Sequence, residues 1–160
     1  VTAVDLVRGI ARLAGMTTYD VEGATGTLET NFLGKAQATL QAFDDGADFC
    51  YLHFEAPDEC GHRREIQRKV RSIEMLDTVL DFVTKGLKAR GEDYGVLIMP
   101  DHPTLISTGS HSSDDVPFAY YYSNDEKDSK VTNFCEKQAK ATGVYQDPGF
   151  DLMDKFLSKE

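Results

Sequence analysis

The sequence is short of cysteine, histidine and positive charge, and it has no long apolar run. Each shortage excludes something. Seventeen Lys and Arg stand against 27 Asp and Glu, a formal net charge of -10, so no basic face is available for a nucleic-acid backbone or an anionic membrane. No apolar stretch approaches the roughly 20 residues of a membrane-spanning helix, and no basic-then-apolar leader opens the chain. The three cysteines, at 50, 60 and 135, cannot pair completely and match no zinc-ribbon spacing. Free thiols in a reducing, cytoplasmic setting are the expectation. The 160 residues, 41% hydrophobic and 28% charged, suit one globular domain or part of one. The chain opens on Val1 rather than Met, which implies processing or a piece of a longer protein.

Periodicity divides the chain into alternating helices and short apolar runs. Val4, Val7, Ile10, Ala11 and Ala14 share one face of a packing helix that Gly15 stops. Residues 16 to 19 suit a short strand. The glycines of the loop 22 to 27 either admit close approach of a ligand or simply shape a surface turn. Asn31 is placed to cap a helix that Asp44-Asp45-Gly46 ends. A buried strand over 48 to 54 precedes a long amphipathic helix from Arg63 to Arg90, whose Ile66, Val70, Ile73, Leu76, Val79, Val83 and Leu87 form one stripe. The run 94 to 99 reads as a strand covered on both faces, the polar stretch 104 to 115 as a loop, 116 to 122 as a strand, and 132 to 141 and 149 to 158 as helices. This order predicts an α/β fold: a doubly wound, mostly parallel sheet with helices on both faces. Only about four strands are visible, fewer than such sheets usually hold, so the sheet is expected to be partial.

Histidine is scarce but sorted. All four, His53, His62, His102 and His111, fall at or just after predicted strand ends, the edge at which open α/β sheets bind ligands. Asp58 and His62, four residues apart, face the same side of a helix or tight turn. With His111 they offer two nitrogens and a carboxylate to one metal ion, and Asp101 with His102 begins a second site. Two ions about 4 Å apart would stabilise the attacking and leaving oxygens of a displacement at phosphorus. An anionic substrate would then be drawn by metals rather than by the net charge. His53 suits either a buried histidine bonded to backbone or a place beside the metals. Lys35 and Arg63 suit either a grip on phosphate or a solvated helix face. The cysteines are assigned to packing, although Cys60 lies within the ligand stretch.

The pattern Asp58-x-x-x-His62, Asp101-His102, His111 resembles the metal-binding pattern of the alkaline phosphatase superfamily. More narrowly, Gly23-Ala24-Thr25-Gly26, Glu29-Thr30-Asn31-Phe32-x-x-Lys35, His53-x-Glu55-Ala56-x-Asp58-Glu59-x-Gly61-His62, Ile73-Glu74-x-x-Asp77, Pro100-Asp101-His102-Pro103-Thr104 and Val116-Pro117-Phe118 are similar to the archaeal-type cofactor-independent phosphoglycerate mutases. The similarity spans nearly the whole chain and departs from the family pattern at Leu105, Gly109 and Ser112. It implies interconversion of 3-phosphoglycerate and 2-phosphoglycerate through a phosphoserine, on two divalent ions, manganese, magnesium or zinc. Asp58, His62 and His111 would hold one ion, Asp101 and His102 the other, and Lys35 and His53 would contact substrate. It further implies that residues 1 to 160 are the carboxyl-terminal part of the catalytic domain, inactive alone, with the nucleophilic Ser in an amino-terminal half. Other expectations are phosphomonoester hydrolysis or phosphoryl transfer to a small alcohol. A non-catalytic metal-binding domain is a third. A sheet lacking its flanking strands would expose apolar surface, so self-association is also expected.

Overall fold

The computed structural model describes residues 1 to 159. In chain order the elements are α1 (Asp5–Leu13), α2 (Phe32–Asp44), α3 (Ala56–His62), α4 (Ile66–Arg90), β1 (Gly95–Ile98), β2 (Thr104–Leu105), β3 (Ser110–His111), β4 (Ala119–Tyr122), α5 (Glu136–Ala141) and α6 (Asp151–Ser158). They sort into two compact units. One holds Val1–Gly91 and Thr104–His111, the other Glu92–Pro103 and the chain from Ser112 onward. None of the helices is long and apolar enough to cross a membrane among the described residues.

In the first unit the local signals act as the residues predict. The Asn31 side chain accepts the Gly34 amide at 2.8 Å and so satisfies one of the unpaired donors at the start of α2. Gly91 ends α4 in the left-handed conformation, φ 73°, which costs a residue without Cβ nothing. The core is where α4 meets α2 and α3, with Val79, Val83 and Leu87 buried beside Phe32, Ala36, Ala56 and Cys60. Small residues allow that approach: a Cβ on Gly86 would strike the methyl groups of Leu40. A short hairpin pairs β2 with β3, antiparallel, Thr104 opposite His111, and turns at Gly109, φ +67°.

The apolar stripes are less covered than their periodicity suggests. The α1 helix forms where expected but buries no residue, with Leu6, Ile10 and Leu13 at 73%, 58% and 92% exposure. Along α4, Ile66, Val70 and Ile73 are also exposed, so only the later half of the stripe is core. The stretch 48 to 54 carries no assigned ladder. Its Tyr51 carbonyl accepts the Val1 amino group at 2.7 Å and its His53 amide donates to the Val1 carbonyl at 3.0 Å. One residue bonded to two flanking positions on its neighbour is the pattern of a parallel bridge.

In the second unit β1 pairs antiparallel with β4, from Gly95 opposite Tyr122 to Ile98 opposite Ala119. The Tyr122 ring stacks on Phe156 of α6 at 5.5 Å between centroids, and its hydroxyl donates to the Phe156 carbonyl at 2.7 Å. The mixed α/β class therefore holds, with a refinement in its pairing. Both assigned ladders are antiparallel among the described residues, and β1 is half-buried rather than enclosed. A continuous apolar run encodes burial but not the direction of its partner, which is why the sense was not readable. Residues 16 to 19 form no strand.

The uneven burial sets a stability contrast. Leu87→Ala, which empties core space between α4 and α2, should cost at least about 2 kcal/mol, whereas Leu13→Ala should stay within about 0.5 kcal/mol. Urea midpoints of the two variants check this, and equal losses would contradict the burial described.

Candidate metal centre

The α3 helix is short and its composition explains its place. Pro57 pre-sets the first turn, and Asp58 and Glu59 lie where the amide dipoles favour negative charge. Asp58 and His62, one helical turn apart, therefore project from the same side. The hairpin brings His111 to them. His62 Nε2 and His111 Nε2 stand 3.0 Å apart, Asp58 Oδ2 lies 3.4 Å from His62 Nε2, and Asp58 Oδ1 lies 3.3 Å from His111 Nε2. Ligand atoms at about 2.1 Å from a shared ion are separated by about 3.0 Å in octahedral and about 3.4 Å in tetrahedral geometry. The three edges fall in that range.

The tautomer of His62 follows from its other nitrogen. Nδ1 lies 2.9 Å from the Gly109 carbonyl, and a carbonyl only accepts, so Nδ1 carries a hydrogen and the neutral tautomer it selects has its lone pair at Nε2. This is the arrangement in which a histidine ligand is oriented through its second nitrogen. Asp58 is held as well: the buried Thr104 hydroxyl donates a hydrogen bond to its Oδ1. Lys69 Nζ donates to the Thr104 carbonyl at 2.6 Å. Gly61 leaves room for that contact, since a Cβ there would lie 2.8 Å from both Lys69 Nζ and the Thr104 oxygen. A further acidic group, Glu55, Asp58 and Glu59, has ligand atoms within 4.8 Å of one another, although Glu59 also bonds Arg63 at 2.9 Å.

Asp58, His62 and His111 converge in the first unit. Asp101 and His102 lie together in the second, where Asp101 Oδ1 accepts the His102 amide at 3.0 Å and Asp101 Oδ2 is 3.4 Å from His102 Nε2. Lys35 is not a solvated helix charge. It is 1% exposed, donates from Nζ to the His53 carbonyl at 3.1 Å, and lies 4.6 Å from the centroid of the Phe54 ring. Burial lowers its pKa to about 8, opposed by the negative charge of Glu55. His53 Nδ1 is 3.1 Å from the Thr2 hydroxyl. Arg63 is a solvated helix charge, ion-paired to Glu59 one turn away. Cys60 is buried, as packing requires, and burial raises its thiol pKa.

Sequence reasoning gave no role to Thr104, Lys69 or the Gly109 carbonyl. Thr104 stands at the end of the Pro100–Thr104 motif, but a hydroxyl that acts through a carboxylate 46 residues away leaves no periodic signal. The only legible cue was the small residue next to a candidate ligand, Gly61.

Comparison with known proteins is consistent with this geometry. The sequence pattern of the metalloenzyme superfamily matches residues 1–148. A 2,3-bisphosphoglycerate-independent phosphoglycerate mutase of Methanothrix thermoacetophila is 44% identical over 96% of this chain and 39% of its own length. One of Methanosarcina barkeri is 40% identical over 88% of this chain and 35% of its own. The solved PH0037 protein from Pyrococcus horikoshii is 30% identical, with a TM-score of 0.88 over 99% of this chain and 47% of that one. The chain spans less than half the length of each of these relatives. The superfamily match and the candidate ligand groups together support binding of a divalent metal.

Two predictions follow from the packing. Gly61→Ala should lower the melting temperature, because the added methyl meets the Thr104 backbone oxygen at 2.8 Å, which cannot swing aside as the Lys69 side chain can; an unchanged melting curve would contradict the close approach. Lys35 binds its proton less tightly folded than unfolded, so the unfolded chain holds more protons between about pH 8 and pH 10.5 and stability rises with pH across that window. The difference in unfolding free energy between the parent and Lys35→Met should therefore slope upward there, and a flat difference would exclude a strained ammonium.

Proposed function

This chain belongs to the metalloenzyme superfamily, and from that premise we propose that it is the metal-binding part of a cofactor-independent phosphoglycerate mutase. The observation that carries the reading is the convergence of two imidazole nitrogens and a carboxylate, with edges of 3.0, 3.3 and 3.4 Å. These donors suit zinc or manganese, and the carboxylate also suits magnesium. In this reading Asp58, His62 and His111 hold one divalent ion, and Asp101 with His102 offers ligands to a second. Bound ions would neutralise a phosphoryl group and polarise its oxygens.

The chain's own residues do the rest. Asp58 balances ion charge while the Gly109 carbonyl and Thr104 hydroxyl keep the ligands turned toward one point. Lys35 and His53 are proposed substrate contacts. The Lys35 ammonium, largely desolvated, is a stronger electrostatic partner for a phosphorylated small molecule than a solvated lysine. The substrate is 3-phosphoglycerate or 2-phosphoglycerate, the reaction a transfer of the phosphoryl group between their hydroxyls, and the serine that carries it belongs to sequence outside these 160 residues.

A second reading is phosphomonoester hydrolysis: water that reaches a phosphorylated intermediate gives hydrolysis instead of retransfer. The test is made on the complete protein with 3-phosphoglycerate and manganese, following 2-phosphoglycerate and free phosphate together. The expected result is isomer formation well ahead of phosphate release, and loss of turnover by at least about 100-fold in His62→Ala, more than loss of an outer partner causes. Phosphate appearing as fast as isomer would favour the phosphatase, and full activity in His62→Ala would refute the site.

A further inference from the structure

Asp58 has nothing of its own to fix the plane of its carboxylate. The terminal torsion of an aspartate is broad and two-fold, yet both oxygens are used at once, Oδ1 toward His111 and Oδ2 toward His62. Thr104 supplies the missing constraint. It is 5% exposed, its hydroxyl bonds Oδ1, and it is the cross-strand partner of His111 in the β2–β3 hairpin. One residue therefore sets the rotation of one candidate ligand and the register of another.

Thr104 is in turn anchored from the helix side. Its carbonyl accepts Lys69 Nζ at 2.6 Å, and Lys69 sits in the first turn of α4, just beyond α3. Gly61, in α3 beside His62, leaves the space in which ammonium and carbonyl meet. The hairpin is thus tied to the helices by two bonds from a single residue, hydroxyl to α3 and carbonyl to α4.

Resting on the reading of Asp58, His62 and His111 as ligands, we propose that Thr104 is a positioning residue for the metal centre, and that Lys69 holds it in place through the Thr104 carbonyl. The hydroxyl donates a hydrogen bond to the carboxylate, so the carboxylate stays oriented before an ion arrives and less ordering remains for binding to accomplish. Partners of this kind, removed from metal sites, typically cost about 10- to 100-fold in affinity.

The test uses the protein with cobalt(II) as probe, read by visible absorption and by competition with a chelator, alongside thermal unfolding without metal. Thr104→Val keeps the shape and removes the hydroxyl; Thr104→Ser keeps the hydroxyl and removes the methyl. The expected result is cobalt binding weakened by about 10- to 100-fold in Thr104→Val with an altered spectrum, near-parental binding in Thr104→Ser, and a smaller weakening in Lys69→Met. Should Thr104→Val fail to fold, Thr104→Ala is read in its place by the same comparison with Thr104→Ser. Parental affinity and spectrum in folded Thr104→Val would overturn the proposal, as would equal losses in the Val and Ser variants, which a purely packing role predicts. Asp58→Asn separates the two levels: cobalt lost there but retained in Thr104→Val overturns only the positioning role, whereas cobalt retained in Asp58→Asn overturns the site itself.

Discussion

Two imidazole nitrogens 3.0 Å apart, with a carboxylate lying across both, form the constraint on which the first unit depends. His62 donates a hydrogen bond from Nδ1 to the Gly109 carbonyl and turns Nε2 toward the group, and Asp58 turns its carboxyl oxygens toward it. A proton on His111 could answer one edge of this triangle. A divalent cation answers all three, because ligand lone pairs that repel one another are each attracted to a charge placed between them. The remainder of the unit can be understood as what brings three such groups together without one. The α3 helix stacks Asp58 beneath His62, the hairpin delivers His111, and the Thr104 bonds tie hairpin to helix.

The same logic explains why small residues occur where they do. Gly61 and Gly86 stand at helix surfaces where backbone or side chains of a neighbour come within contact of the missing Cβ, and Gly109 turns the hairpin in a conformation that disfavours other residues. Substitution at these places acts on distance rather than on chemistry. A metal centre tolerates little of that, since ligand positions must hold to a few tenths of an ångström.

How much of this was legible in the sequence depends on whether the cause is local. Asn31 as a cap, Gly91 as a stop and the period of α4 were readable because each acts within one turn of helix. Asp58 and His62 were readable as a pair for the same reason. That His111 completes them was read from the histidines' shared place at predicted strand ends and from a family pattern, not from spacing, since 49 residues separate it from His62 and only the folded hairpin closes that gap. The Lys35 alternatives could not be separated beforehand: a lysine on a helix reads as solvated, and its burial comes from Phe54 and the His53 carbonyl, on another segment. Val4, Val7, Ile10, Ala11 and Ala14 gave the helix correctly but not its cover, because an apolar stripe states that a surface is apolar and not what lies against it. The direction of strand pairing was hidden for a related reason, as burial and alternation are the same for either sense.

The central claim is that Asp58, His62 and His111 share one divalent ion. Crystals of the protein grown with manganese, measured at the manganese absorption edge, test it most directly. The account predicts an anomalous peak about 2.0–2.3 Å from Asp58 and from the Nε2 atoms of His62 and His111. A fully occupied manganese peak elsewhere on the chain, with His62 and His111 still bridged nitrogen to nitrogen, would contradict it.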